Sequence, residues 1–302
     1  MKGVSLLFAA IAGGAESCPP HPPRDMVART APFGGVIAPT AADAEEAVAG
    51  GTVARDAARR FLGLEAPPFL IAAQSPGTSP AAGCTFVFPW HFPQAVAGGR
   101  RLPPQVLPHE IGHALFIRFL VPETGKEEYG GGAPDWLDEM AAIAFESPGG
   151  VRKRRIEARD AAERGALMPL ARLLSMPHPE WSARRAQASA APEPRTGPPR
   201  STDTPAFYAT LRALLDFLIE RTGDERVIKR LAEQARADAP LDRWLLAHVP
   251  GAAGKGLSRL DAQIAAFVLT NPAYDEAREN EAAEETRPTP GRDELGGRPR
   301  SK

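Results

Sequence analysis

The run His109-Glu110-Ile111-Gly112-His113 constrains this chain more than any other feature. It lies in an apolar stretch from Gln105 to Leu120 that reads as a helix, with Pro104 and Pro108 confined to the first turns, where a missing amide donor costs least. At about 3.6 residues per turn, a spacing of four puts both imidazoles on one face, where each can offer a nitrogen to the same metal ion. Glu110 falls about 100° around the helix from His109, so its carboxylate can reach a water at that metal without ligating it. Imidazole and carboxylate donors suit Zn²⁺, one ion per chain, and a catalytic zinc site keeps one position open. The motif therefore demands a third ligand from elsewhere in the fold.

The composition leaves room for such a site in one folded body. With 302 residues, 43% hydrophobic and 24% charged, the chain can bury one substantial core, which excludes wholesale disorder and a fibrous protein. Lys+Arg 36 against Asp+Glu 37 gives a net charge of -1, so no global field draws the chain onto nucleic acid, and none is expected as a partner. Beyond residue 15 no apolar run approaches the roughly eighteen residues that cross a bilayer. Two cysteines, Cys18 and Cys84, are too few for a disulfide framework; they form either one bridge in an oxidising compartment or two separate thiols.

The chain divides by composition. Residues 1–15, with Lys2, the apolar run Val4 to Ala12 and the small residues Gly13-Gly14-Ala15, read as an export signal, which places the protein outside the cell or in a bacterial envelope or periplasm. Ala15-Glu16-Ser17-Cys18 faintly resembles a lipoprotein acylation box but lacks its branched apolar residue, so a lipid anchor at Cys18 is the lesser expectation. Residues 16–39 read as a mobile spacer carrying Pro19-Pro20-His21-Pro22-Pro23. The folded body then starts at 40 and runs to 185. In it, Thr40 and Asp43 cap a helix reaching about Leu64, and Phe69–Ala73 and Thr85–Phe88 read as strands.

Further along, Arg152-Lys153-Arg154-Arg155 is followed by Glu157, Asp160 and Glu163 and reads as a solvated helix face. Residues 186–204, rich in Ala, Ser, Thr, Pro and Arg, form a disordered insert. Phe207, Leu211, Leu214, Leu215 and Leu218 stripe a helix ending near Gly223, the first of a helical portion spanning 205–270. Residues 271–302, charged and without periodicity, read as a disordered tail. The expected class is α+β: a small sheet packed with the HExxH helix and a mainly helical C-terminal portion.

Phe116 and Phe119 stand where a metzincin would carry Gly and His, which leaves a carboxylate from a later helix as third ligand. Asp135, Asp138 and Glu139 all lie in Pro134-Asp135-Trp136-Leu137-Asp138-Glu139-Met140-Ala141-Ala142. With its HExxH and a following W-L-x-E-x-x-A helix, matched by Trp136, Leu137, Glu139 and Ala142, the chain resembles the gluzincin peptidases, in particular the peptidase-MA-like family. The resemblance extends from about Thr40 to about Leu269. It implies a zincin-like fold, Glu139 as the third zinc ligand beside His109 and His113, and hydrolysis of peptide bonds in a peptide or protein substrate by a water that Glu110 activates.

The resemblance also implies an oxyanion donor outside the zinc helices. Tyr208, at the head of its helix, fits best; Tyr129 is a weaker alternative, and His91, His178 and His248 rank behind. Ile143 departs from the thermolysin-like pattern, which has an acid there, so another group must orient the histidines. Asp135 and Asp138 otherwise complement the dipole of their helix. The segment Thr85 to Trp90 is the expected sheet edge for an extended substrate. A catalytically degenerate, zinc-stabilised envelope binding or scaffold protein is the alternative; it would keep His109, His113 and Glu139 but has no need of Glu110.

Overall fold

A computed structural model describes residues 25–73, 86–90, 92, 106–121, 132–179 and 203–285. The export signal, Cys18, Cys84, His91, Tyr129 and residues 186–202 of the insert lie outside the described residues. The class is α+β, with one small mixed sheet and a majority of helix.

Four strands line up in chain order: β1 (Val27–Ala31), β2 (Gly34–Ala38), β3 (Phe69–Ala73) and β4 (Phe86–Trp90). The first two pair antiparallel across a tight turn, whereas β2, β3 and β4 run parallel. This hairpin corrects the reading of 16–39 as a spacer, because 27–38 is paired strand. Gly34-Gly35 weakens the local strand signal, and the register of β2 on β3 supplies the stability that propensity lacks.

The parallel step from β2 to β3 requires a crossover. It is made by α1 (Ala41–Ala57), prolonged by a π-helical turn (Ala58–Leu62). Thr40 caps α1, its hydroxyl oxygen accepting from the Asp43 amide at 3.1 Å while the hydroxyl donates to the Asp43 carboxylate at 2.7 Å. Gly50 and Gly51 do not break this helix. They let it lie close to its neighbours, since a Cβ at Gly51 would come within 2.4 Å of the Phe33 ring.

The remaining helices are α2 (Val106–Phe119), α3 (Asp135–Ala144), α4 (Pro148–Glu163), α5 (Leu170–Leu173), α6 (Thr204–Thr222), α7 (Val227–Arg236), α8 (Leu241–His248), α9 (Leu257–Thr270) and α10 (Pro272–Glu285). Helix α3 runs through the centre: every residue from Trp136 to Ala144 is buried. It packs against α2 and α6, and the Phe207, Leu211, Leu214, Leu215 and Leu218 stripe of α6 is buried in the core. Among the described residues no helix is long and apolar enough to cross a membrane.

Two further readings change. The expected tail contains α10, because Tyr274 and Ala277 are buried in the core and Arg278 pairs with Asp160 and Glu163 of α4. A helix held by so few inward side chains shows no stripe in the sequence. The basic run at 152–155 is not wholly solvated either. Lys153 is exposed, but Arg154 turns inward to Glu146, its Nε donating at 3.1 Å, and Arg155 to Asp216 at 2.9 Å.

Candidate metal centre

Where α2 crosses α3 the two backbones come close. A Cβ at Gly112 would lie 3.1 Å from the Ala142 Cα and 3.0 Å from the Phe145 ring, so the glycine inside the HExxH motif sets how near the helices can approach. That approach brings Glu139 to both histidines. Its Oε2 is 3.5 Å from His109 Nε2 and 3.7 Å from His113 Nε2, and one donor atom from each of the three lies within 4.8 Å of the others. All three side chains are buried, and Glu139 Oε2 accepts no hydrogen bond among the described residues. His109, His113 and Glu139 are a group that could hold a metal ion.

The imidazoles are held from behind by carboxylates. His113 Nδ1 lies 2.8 Å from Asp138 Oδ2, a contact that places the proton on Nδ1 and turns the Nε2 lone pair toward Glu139. Asp138 is wholly buried, so its part is in the site rather than in complementing a helix end. His109 Nδ1 lies 3.5 Å from Glu146 Oε1, and the same oxygen accepts from Arg154. Asp138 and Glu146 thus take the orienting position that Ile143, wholly buried and apolar, does not fill.

A third histidine stands behind Glu139. His178 Nε2 is 3.0 Å from Glu139 Oε1 and 3.3 Å from the Tyr208 hydroxyl, and the His178 amide donates to Asp135 at 2.6 Å. Each oxygen of Glu139 therefore has its own task, one facing the histidine pair and one fixed by His178. Tyr208 is brought to the same place: its ring centroid is 6.4 Å from that of His109, and the Arg154 guanidinium lies over it at 4.3 Å. Glu110 projects from α2 and is partly exposed. His248 is engaged elsewhere, stacked on Trp244 with ring centroids 4.4 Å apart.

The electrostatics follow from this crowding of acids. Burial disfavours a charged His109, but Glu139 and Glu146 outweigh it and raise its pKa to about 9. Burial also disfavours an ionised Glu139, yet His109 and His178 hold its carboxyl well below the usual range. Burial pushes Asp138 up, opposed by His113. Asp138, Glu139 and Glu146 outnumber the single guanidinium of Arg154, and without a metal the balance is made by protons on the histidines. A divalent cation supplies the same charge.

The sequence missed Glu146 and Arg154 as members of the site, ranked His178 only as a lesser oxyanion donor rather than as the partner of Glu139, and misjudged Asp138. The one available signal was a second acid, Asp138, on a mostly apolar helix; Glu146 and Arg154 depend on how α3 and α4 meet, and His178 on where the segment after α5 runs. No family model matches the chain, and neither a curated protein nor a solved structure matches it.

Proposed function

We propose that this chain is an exported zinc metallopeptidase of gluzincin-like architecture. The observation that carries the reading is the convergence of His109, His113 and the unbonded Glu139 Oε2 beside a helix that also presents Glu110. Ligand atoms around a tetrahedral zinc with bonds of about 2.0–2.1 Å sit about 3.3 Å apart, close to the 3.5 and 3.7 Å that separate Glu139 Oε2 from the two imidazoles. Two imidazoles and one carboxylate also leave a fourth position open, which favours a catalytic over a structural metal. A zinc ion held by His109, His113 and Glu139 would supply a bound water of pKa about 7 and Lewis acidity toward a substrate carbonyl.

The chain's own groups do the rest. Glu110, on the helix of the two histidines but outside the ligand set, takes the proton of the attacking water and returns it to the leaving amine. Tyr208 donates its hydroxyl to the negative charge that develops on the carbonyl oxygen. Asp138, Glu146 and His178 keep the ligands in one orientation, so little reorganisation is needed during the reaction. Among the described residues β4 is an edge of the sheet beside α2, and it carries Pro89, a residue suited to an edge strand. An extended peptide laid along it satisfies its backbone groups without a sequence requirement, which suits a peptide or protein substrate. The leader-like residues 1–15 support export.

The test is Glu110→Gln, assayed for cleavage of an unstructured protein such as β-casein and for metal content. The variant is expected to keep its zinc and lose about 10²–10⁴-fold in turnover. Undiminished cleavage overturns the assignment of Glu110 as base, and a wild type that holds zinc but cleaves nothing overturns the peptidase reading.

A further inference from the structure

On the other side of Glu146 from His109, a cleft of about 790 Å³ opens between α1, α4, α6 and α10. Its walls include Phe61, Val151, Ile219 and Phe267, and Arg155, Arg212, Asp216 and Tyr274 also line it. Asp216 is the hub of those four. It accepts from Arg155 Nε at 2.9 Å, from Arg155 Nη2 at 3.4 Å, from Arg212 Nη2 and from the Tyr274 hydroxyl at 3.1 Å. A carboxylate offers about four acceptor positions, so Asp216 has nothing left to give.

Arg212 is left short. It is 4% exposed, its only hydrogen bond among the described residues goes to Asp216, and its Nε is buried with no partner. A guanidinium has five donors and does not lose its proton in a protein. Burial raises the carboxyl of Asp216, but Arg212 and Arg155 outweigh that and keep it ionised, while burial and Asp216 hold Tyr274 neutral. Two cations therefore share one buried anion, Arg212 enclosed with it and Arg155 partly exposed. The other acids of the lining leave Arg212 uncompensated: Glu146 is committed to His109 and Arg154, Asp56 pairs with Arg55, Glu220 is exposed at the rim, and Glu276, also exposed, acts on Arg155.

An uncompensated buried charge is costly, and the planar fork of arginine matches the two oxygens of a carboxylate or phosphate. The volume lies in the range of small-molecule sites, about 300–1,000 Å³, and the walls are mixed apolar and polar, as such sites are. We infer that the cleft binds a small organic oxyanion, a carboxylate or phosphate on an apolar body, through Arg212 and Arg155. Glu146 lines it, but none of His109, His113 and Glu139 does, and the inference stands without the peptidase reading.

The test is titration calorimetry on the full chain with three probes of one shape: phenylacetate, phenyl phosphate and the neutral phenylacetamide. At least one anion is expected to bind saturably and at least about tenfold more tightly than the amide, a difference of one charge-assisted contact. The tighter of the two anions tells a carboxylate ligand from a phosphate. Arg212→Gln is expected to lose about tenfold or more of that affinity. Val151→Trp, which keeps every arginine and fills the cleft, is expected to abolish binding and decides the matter if Arg212→Gln fails to fold. Failure of both anions to bind, equal binding of phenylacetamide, or wild-type affinity in the folded variants overturns the inference.

Discussion

Two buried polar clusters lie on either side of Glu146, and they are unbalanced in opposite senses. Around α2 and α3, Asp138, Glu139 and Glu146 face imidazoles and one guanidinium, so the region lacks fixed positive charge. Between α4 and α6, Arg155 and Arg212 share Asp216, so that region lacks negative charge. The difference teaches how each can settle in isolation. Histidine takes up a proton when no metal is there, and the first cluster has that way out. Arginine cannot give its proton up, and the second has none.

The largest effect expected from breaking this comparison comes from the hub of the cationic cluster. Asp216→Ala leaves two guanidinium groups facing each other at a buried site and should destabilise the protein by about 3–5 kcal/mol in urea unfolding. Glu163→Gln, which removes a surface partner of Arg278 and Arg159, should shift the midpoint little. Equal effects of the two would mean that the Asp216 cluster is not insulated from solvent.

The acidic cluster should instead show itself through pH once metal is removed. The His109 pKa is raised from its ordinary value near 6.5 to about 9, so the stability it contributes is fully present below about 6.5 and is lost as pH rises through about 9. Chelator-treated protein should lose up to about 3 kcal/mol across that window, and metal-loaded protein, whose histidines are already neutral, should not. Thermal melts of both forms from neutral to alkaline pH check this. Loss of the same size in both would show that the proton and the metal do not compete for one place.

A smaller effect tests orientation. Asp138→Asn keeps the shape beside His113 but removes the charge, and metal affinity measured against a competing chelator should fall about 10–100-fold. The Arg212→Gln substitution should leave that affinity unchanged, since Arg212 belongs to the other cluster. A fall in both would join the two regions into one network through Glu146.

How much of this was legible in the sequence follows the same division. His109, Glu110 and His113 were readable because helical spacing alone puts them on α2 in a fixed relation, as it does the stripe of α6, while α1 was announced by its Thr40 cap and β3 by a short apolar β-type run. Glu139 needed the resemblance to choose it over Asp135 and Asp138, since spacing offered all three. Asp138 was named for the wrong task, because only the crossing at Gly112 shows that it lies behind His113. His178 and Glu146 reach Glu139 and His109 from segments with no local sign of the site. The β1–β2 hairpin and α10 were missed because what holds them, the register on β3 and the burial of Tyr274, is tertiary. Arg155, read as part of a solvated run, gives no hint in the sequence of Asp216 on another helix.

The measurement that bears most directly on the central claim is metal content by elemental analysis, on wild type, His109→Ala and Glu139→Ala purified alike and supplied with zinc before dialysis. The account predicts about one zinc per wild-type chain and almost none in either variant, each having lost one of three protein ligands. A wild type without zinc, or variants that hold as much as the wild type, would contradict it.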